Sequence, residues 1–256
     1  MIRVRWYEGD GPLALVLHGG PGAPGSAAGL ARALAGSFRV GEPLQRRSGH
    51  GRLTVARHVA DLAEVVARCP EAPALVGHSW GAMLALAFAA EHPERVRTLA
   101  LVGCGTFDPA ARAELGRRRE ARMDAAFKAR LAAASFAERG ALMAEIENVD
   151  PLPGDAPVRA DARGHRESWQ DLLRLQAEGR YPAAFTAYPG PTLMIHGADD
   201  PHPGRMIRDT LHAVLPQIEY VELACCGHEP WREREAREGF LAELAGWLRR
   251  GALEAP

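Results

Sequence analysis

Lysine is nearly missing from this chain: Lys128 is the only one, so arginine carries almost all of the 31 basic charges. They meet 32 acidic residues, for a net charge of −1 and an isoelectric point near 6.8. Without a surplus of either sign, no whole-chain field draws in nucleic acid or an anionic membrane surface. Long apolar runs are lacking too. No segment approaches the roughly 18 uninterrupted apolar residues of a membrane span. The first ten residues carry Arg3, Arg5 and Glu8 where a signal peptide would be apolar. A cytoplasmic protein without nucleic-acid or membrane partners is expected. Cysteine is scarce as well. The four residues, Cys69, Cys104, Cys225 and Cys226, form neither the CxxC pairs of a zinc site nor the density of a disulfide framework, so they read as reduced thiols. The adjacent Cys225 and Cys226 read as ordinary buried thiols. Repeats and low-complexity segments are absent. The histidines of His18-Gly19-Gly20-Pro21-Gly22 and Gly227-His228-Glu229-Pro230 stand singly, without metal-ligand spacing, so no metal or cofactor is implied.

What is present is a chain of 256 residues, 47% hydrophobic and 25% charged, the length of one α/β domain with an insertion. Leu13 to Leu17 is a continuous apolar run that ends in a Gly-Gly-Pro-Gly turn, the pattern of a strand buried on both faces. A helix over Ala27–Ala35, a strand over Phe38–Val40, a polar loop over Gly41–Leu53 and a helix over Val55–Cys69 follow, with Thr54 as the cap of the last. Strands at Ala74–Val76 and Val96–Val102 flank a helix over Met83–Ala90 that stops at His92-Pro93. This βαβαβ rhythm implies a parallel sheet. Between Phe107 and Tyr188 the rhythm gives way to helical patterns at Ala110–Ala134, Phe136–Ile146 and Glu167–Glu178, broken by the turn-rich joint of Pro151, Pro153 and Pro157. Strand, helix, strand and helix return at Thr192–Ile195, Arg205–Leu215, Ile218–Leu223 and Glu233–Arg250. A core of residues 1–106 and 189–256 with an inserted helical unit at 107–188 is therefore expected.

Chemistry gathers at Gly77-His78-Ser79-Trp80-Gly81, a G-x-S-x-G pattern placed where a strand turns into a helix. A serine there occupies a sharp turn, and the flanking glycines let neighbouring backbone pass close by. A serine hydroxyl is a weak nucleophile at neutral pH and needs a base, and a third group to orient that base. After Ser79, two strands run into loops that hold such groups: one into His196-Gly197-Ala198-Asp199-Asp200-Pro201, the other into the Cys225–Pro230 segment with His228. Both loops follow the carboxyl ends of strands, where open α/β sheets place their sites.

On the elbow, the HGGPG turn, the Gly197-x-x-Asp200 step and the Gly227-His228-Glu229-Pro230 segment, in this order, the chain resembles the α/β-hydrolase fold over nearly its whole length. The resemblance implies a mostly parallel, twisted sheet flanked by helices, with the insertion as a helical cap. It implies Ser79 as nucleophile, His228 as general base and acid, and Asp200, rather than its neighbour Asp199, as the residue that orients His228. It also implies an oxyanion hole from the amides of Trp80 and Gly20, with Gly19 as the alternative loop donor, since Pro21 has none to give. His18 and His78 read as structural, and the run Arg117-Arg118-Arg119 as a solvated helix face.

HGGPG and the Ser-Trp of the elbow are most similar to the proline iminopeptidase branch. The segment Gly41 to Gly49 departs from that branch's usual loop, and the insertion is shorter than its usual cap. Glu145, Glu147, Asp150, Glu167 and Asp171 are available to recognise a free amine, yet a charged helix face accounts for them equally. The expectation is hence a serine hydrolase that cleaves an ester, lactone or amide of a small molecule through an acyl-enzyme. An aminopeptidase specific for N-terminal proline is the alternative, and a non-catalytic binding protein of the same fold the third reading. Trp169, Phe136, Leu142 and Tyr181, large apolar residues of the insertion, are expected to line the substrate pocket.

Overall fold

The computed structural model describes residues 2–155 and 158–253, so that Pro157, expected in the joint, lies outside the described residues. Seven strands form one sheet: β1 (Val4–Tyr7), β2 (Leu13–Leu17), β3 (Arg39–Pro43), β4 (Ala74–His78), β5 (Thr98–Val102), β6 (Thr192–Gly197) and β7 (Ile218–Leu223). Their spatial order is β1-β3-β2-β4-β5-β6-β7, and among the described strands the β1–β3 pair alone is antiparallel. β2, β4 and β5 are buried along their whole length, as expected for strands covered on both faces.

Alternation along β2 sends Leu15 and Leu17 to one face and Ala14 and Val16 to the other. The first face packs against α2 (Val55–Val66), α3 (Trp80–Glu91) and α8 (Gly204–His212), through Val59 and Leu62, Phe88, and Ile207 and Leu211 respectively. The second packs against α1 (Ala28–Leu34) and α9 (Arg237–Leu253), through Leu30, Leu34, Phe240, Leu244 and Leu248. No helix among the described residues is long and apolar enough to cross a membrane.

Sequence and structure differ in places that have physical reasons. β1 is added at the sheet edge by antiparallel pairing, and it carries β3 on to Pro43; the buried Glu42 accepts a hydrogen bond from Tyr7 Oη at 3.0 Å. The expected long helix after residue 109 is two helices, α4 (Pro109–Ala121) and α5 (Ala125–Ala133). Asp124 ends the first pattern by capping the second, its carboxylate accepting the Phe127 amide at 2.7 Å. α6 (Phe136–Glu147) begins with a capping box of Ser135 and Glu138. Asp161 caps α7 (Ala162–Ala177), so that helix starts five residues before Glu167. Thr54 caps α2 as expected, accepting the Arg57 amide.

α4 to α7 lie between β5 and β6 in the chain and are bonded to the rest at both ends. At one side Asp171 accepts the Val55 amide at 2.8 Å, Glu167 the Leu53 amide at 2.9 Å, and Asp161 the Ser48 hydroxyl at 2.9 Å. At the other, the buried Glu233 carboxylate accepts the amides of Val149, Asp150 and Gly227 at 2.8–2.9 Å.

Candidate active site

Ser79 stands at the end of β4 in a left-handed backbone conformation, φ 53° and ψ −115°. A non-glycine residue there costs on the order of 1–3 kcal/mol and persists only where the surroundings impose it. Here they do. A Cβ on Gly77 would lie 2.4 Å from the Gly81 carbonyl oxygen, and one on Gly81 would lie 2.2 Å from the Leu17 carbonyl oxygen. The two glycines thus let the turn close on itself and on β2, which holds Ser79 at its tip. The Ser79 hydroxyl has no hydrogen-bond partner among the described residues.

Asp200, in the loop after β6, is buried and accepts from two imidazoles, while a third, that of His196, donates its Nε2–H to the His202 carbonyl at 3.0 Å. His228 Nδ1 donates to its Oδ2 at 2.7 Å and His202 Nδ1 to its Oδ1 at 2.8 Å, while His196 Nε2 lies 3.2 Å from Oδ2. Burial alone would raise the Asp200 pKa, but the imidazoles of His228, His202 and His196 outweigh it and hold the carboxylate well below its ordinary range. Asp199 is exposed and offers its backbone carbonyl to Arg122 instead. Burial lowers the His228 pKa, yet the Asp200 charge and hydrogen bond overcome it and push it up to about 9. A base must be neutral to accept a proton. The rate of any reaction His228 serves as base should therefore rise with pH through that region, alkaline of an ordinary histidine; a pH–rate profile that levels off near 6.5, the ordinary histidine value, would contradict this.

Gly20 and Trp80 both line the cavity beside Ser79, and their backbone amides have no acceptors among the described residues. Trp80 is the first residue of α3, whose amide has no partner within the helix. Its indole is anchored: Nε1 donates to Gln45 Oε1 at 2.8 Å, and Gln45 Nε2 donates to the His18 carbonyl at 3.2 Å. Gly19 is packed too tightly for a side chain, a Cβ there meeting His78 Nδ1 at 2.6 Å. His78 does more than pack, since its Nε2–H donates to the His228 carbonyl at 3.1 Å and ties the elbow to the histidine loop. The inserted helices hold both loops. Asp161 N–H donates to the Gly22 carbonyl at 2.8 Å and His165 Nδ1 to that of Pro21 at 3.0 Å, while the His228 amide donates to the Glu147 carbonyl at 2.8 Å.

Ser79, His228, His202, Gly20 and Trp80 line one cavity of about 1130 Å³. Of the apolar residues expected at a pocket, Phe136 and Trp169 line it. Leu142 and Tyr181 do not: Leu142 packs with Phe127 and Ile146 in a small core of the inserted helices, and Tyr181 joins the main core against Phe185. Helical register decides this, because Phe136, Gly140, Met143 and Glu147 share the cavity face of α6 and Leu142 lies off it. Cys226 is buried but Cys225 is exposed, at φ 49°, against the expectation of two buried thiols; both are free.

Charged residues also reach the cavity wall. Arg119 does so while paired with Glu147, whereas Arg117 and Arg118 pair with Glu114. The cavity carboxylates Glu147, Asp155 and Glu229 are each paired with an arginine, Arg119, Arg32 and Arg232 in turn. Glu145, Asp150, Glu167 and Asp171 also have arginine partners and do not line the cavity. Asp200, His202 and His228 bring potential ligand atoms within 4.8 Å of one another, but the nitrogens that face the carboxylate carry the hydrogen bonds holding the trio together, so a cation there would have to displace those protons.

Comparison with known proteins agrees with this architecture. The model of the "Alpha/beta hydrolase family" matches residues 14–243. A 2-hydroxymuconate semialdehyde hydrolase of Pseudomonas putida is 37% identical over 110 residues, 38% of this chain and 37% of that protein, so the likeness spans little more than a third of that relative. Among solved structures, a proline iminopeptidase of Mycobacterium smegmatis superposes with a TM-score of 0.68 at 19% identity, over 99% of this chain and 96% of that one. A thermophilic esterase of Thermogutta terrifontis does so with a TM-score of 0.67 at 20% identity, over 98% and 93%. By its sheet order, its strand-to-helix elbow and the family model spanning almost all of its length, the chain belongs to the alpha/beta hydrolase family.

Proposed function

We propose that this protein is a serine hydrolase of small molecules, with Ser79 as nucleophile, His228 as base and acid, and Asp200 as the group that orients His228. The observation that carries this reading is the opening of the left-handed Ser79 and the Asp200-backed His228 onto one cavity, beside two amides without acceptors. In the reaction, His228 Nε2 takes the Ser79 proton as Oγ attacks the substrate carbonyl carbon. The carbonyl π electrons move onto oxygen, where the Gly20 and Trp80 amides meet the charge. His228 then gives its proton to the leaving alcohol or amine as that bond breaks and the acyl-enzyme forms, and water repeats the sequence to release the acid. Residues 107–188 act as the cap that roofs the cavity, over the core of 1–106 and 189–256. Treating the native chain with a fluorophosphonate probe, followed by peptide mass analysis, is expected to find the label on Ser79. An unlabelled chain would favour a binding protein of the same fold.

Among the described residues every cavity carboxylate is paired, which leaves none of them to take the free ammonium of an aminopeptidase substrate and favours an ester, lactone or amide hydrolase. Arg139 and Arg237 line the same cavity without carboxylate partners among the described residues. A substrate that carries its own carboxylate suits this surplus. The p-nitrophenyl half-ester of adipic acid is expected to exceed p-nitrophenyl hexanoate in kcat/KM by about tenfold, the worth of one charge-assisted hydrogen bond. Equal values, or faster turnover of prolyl p-nitroanilide than of either ester, would reverse this assignment.

A further inference from the structure

Asp200 serves a second imidazole that the hydrolytic reaction has so far not required. Its Oδ1 accepts both the backbone N–H and the Nδ1–H of His202, each at 2.8 Å. The His202 ring then lies against the His228 ring, centroids 4.2 Å apart and planes 15° from parallel. Pro201 and Pro203 flank His202, and a residue that precedes proline is confined to extended backbone, so the ring is set in place by its own loop. Both rings line the cavity, and neither Nε2 has a hydrogen-bond partner among the described residues.

We propose that His202 is a positioning residue for the reaction: by occupying Oδ1 it leaves Oδ2 to orient His228, and by stacking on His228 it fixes the plane in which that ring meets Ser79. This rests on the reading of His228 as the base. A carboxylate held at one oxygen alone can swivel about its Cβ–Cγ bond, and an imidazole held at Nδ1 alone can tilt. His202 opposes both motions. Burial lowers the His202 pKa to about 4, so the ring is neutral at working pH and adds no repulsion when His228 becomes charged. The other groups around His228 are His78 and Ser79 at the end of β4, His196 behind Asp200, Glu147 with Arg119, and Glu229 with Arg232. None of them is hydrogen-bonded to the His202 ring, and the bond of His196 Nε2 to the His202 carbonyl, at 3.0 Å, uses backbone that a substitution keeps.

Two substitutions separate the parts of the proposal. Asn places an amide N–H where the His202 Nδ1–H stands but has no ring to stack, whereas Phe keeps a stacking ring and has no donor. His202→Phe leaves the Asp200 charge less satisfied and lays an aromatic face on the imidazolium, so the pKa of His228 is expected to rise by about one unit. The ascending limb of the pH profile of fluorophosphonate labelling should move with it, to higher pH. His202→Asn should leave that limb in place and lower the labelling rate about tenfold, through loss of ring alignment. Titration of His228 by NMR in the unreacted protein reads the same pKa without any turnover. Failure of the native chain to label would sink the hydrolase reading, while the titration would still decide the coupling. An unshifted His228 in His202→Phe overturns the proposal. So do equal rate losses in both variants with one common limb, the result of a loop that only packs.

Discussion

Asp200→Asn is expected to lower kcat/KM for a p-nitrophenyl ester by about 10⁴-fold while the protein stays folded, if Asp200 orients His228 as proposed, the size of the loss seen when the orienting acid of a serine triad is removed. The carboxylate has two acceptor oxygens, and both are engaged, Oδ1 by His202 and Oδ2 by His228. An asparagine has one oxygen, and its amide can only donate. With oxygen kept toward the two His202 donors, the amide faces His228 Nδ1 and forces it to accept. The proton then resides on Nε2, the atom that the proposed reaction needs free to take one from Ser79. The pH–rate limb moves as well. Without the Asp200 charge, the pKa of His228 drops from about 9 toward or below the ordinary histidine value, because burial then acts unopposed. Residual activity should accordingly level off at lower pH than in the native protein. Asp199→Asn provides the contrast, since Asp199 is exposed; a change there of more than about twofold, or a mild effect at Asp200, would mean the wrong aspartate has been assigned.

The second large effect is structural. Gly81→Ala is expected to destabilise the fold by about 3 kcal/mol or more. Its Cβ would meet the Leu17 carbonyl oxygen at 2.2 Å, the Leu17 carbonyl carbon at 2.6 Å and the His18 carbonyl oxygen at 2.8 Å. All three are backbone atoms of β2 and its end, with no side chain to swing aside, so the elbow or the central strand must shift. The same substitution at Gly116 in α4 meets nothing within 4 Å. There, removal of a helix-interior glycine should raise stability by about 1 kcal/mol. Thermal or urea unfolding of the two variants should move in opposite directions. Two shifts of one sign would show that close backbone approach does not govern the elbow.

Much of this was legible in the sequence, for identifiable reasons. β2, β4 and β5 are unbroken apolar runs because both faces of the sheet are covered, and burial of that kind is written into composition. β1 was not legible: its exposed Arg5 and Trp6 carry no apolar pattern, and it exists by pairing with a strand more than 30 residues away. The loop from Gln45 to Ser48 read as merely polar, yet each of its residues is bonded to a distant part of the chain. Gln45 meets Trp80, Arg46 grips Asp61, Arg47 reaches the carbonyls of Arg159 and Ala160, and Ser48 meets Asp161. Such order comes from long-range partners and leaves no local trace. The choice between Leu142 and Phe136 turns on the register of α6, which hydrophobicity alone does not specify. His202 stood two residues from a singled-out aspartate, but only the turn of the loop brings its backbone N–H and its Nδ1–H to one oxygen.

The bonds from the inserted helices to the Gly19–Gly22 loop and to the His228 loop bear on how such a protein could change its substrate. The residues around Asp161 and His165 support the backbone next to Gly20, and Glu147, with Glu233 bridging, supports His228. The insertion is therefore no detachable unit whose exchange would leave the two loops in place. A transplanted or shortened version that lacks these contacts would release the two loops at the same moment. New specificity would then have to arise within the existing helices, on the α6 face that carries Phe136, Gly140 and Met143, and a wholesale graft would succeed only if it brought its own equivalents of residues 147–150 and 161–165.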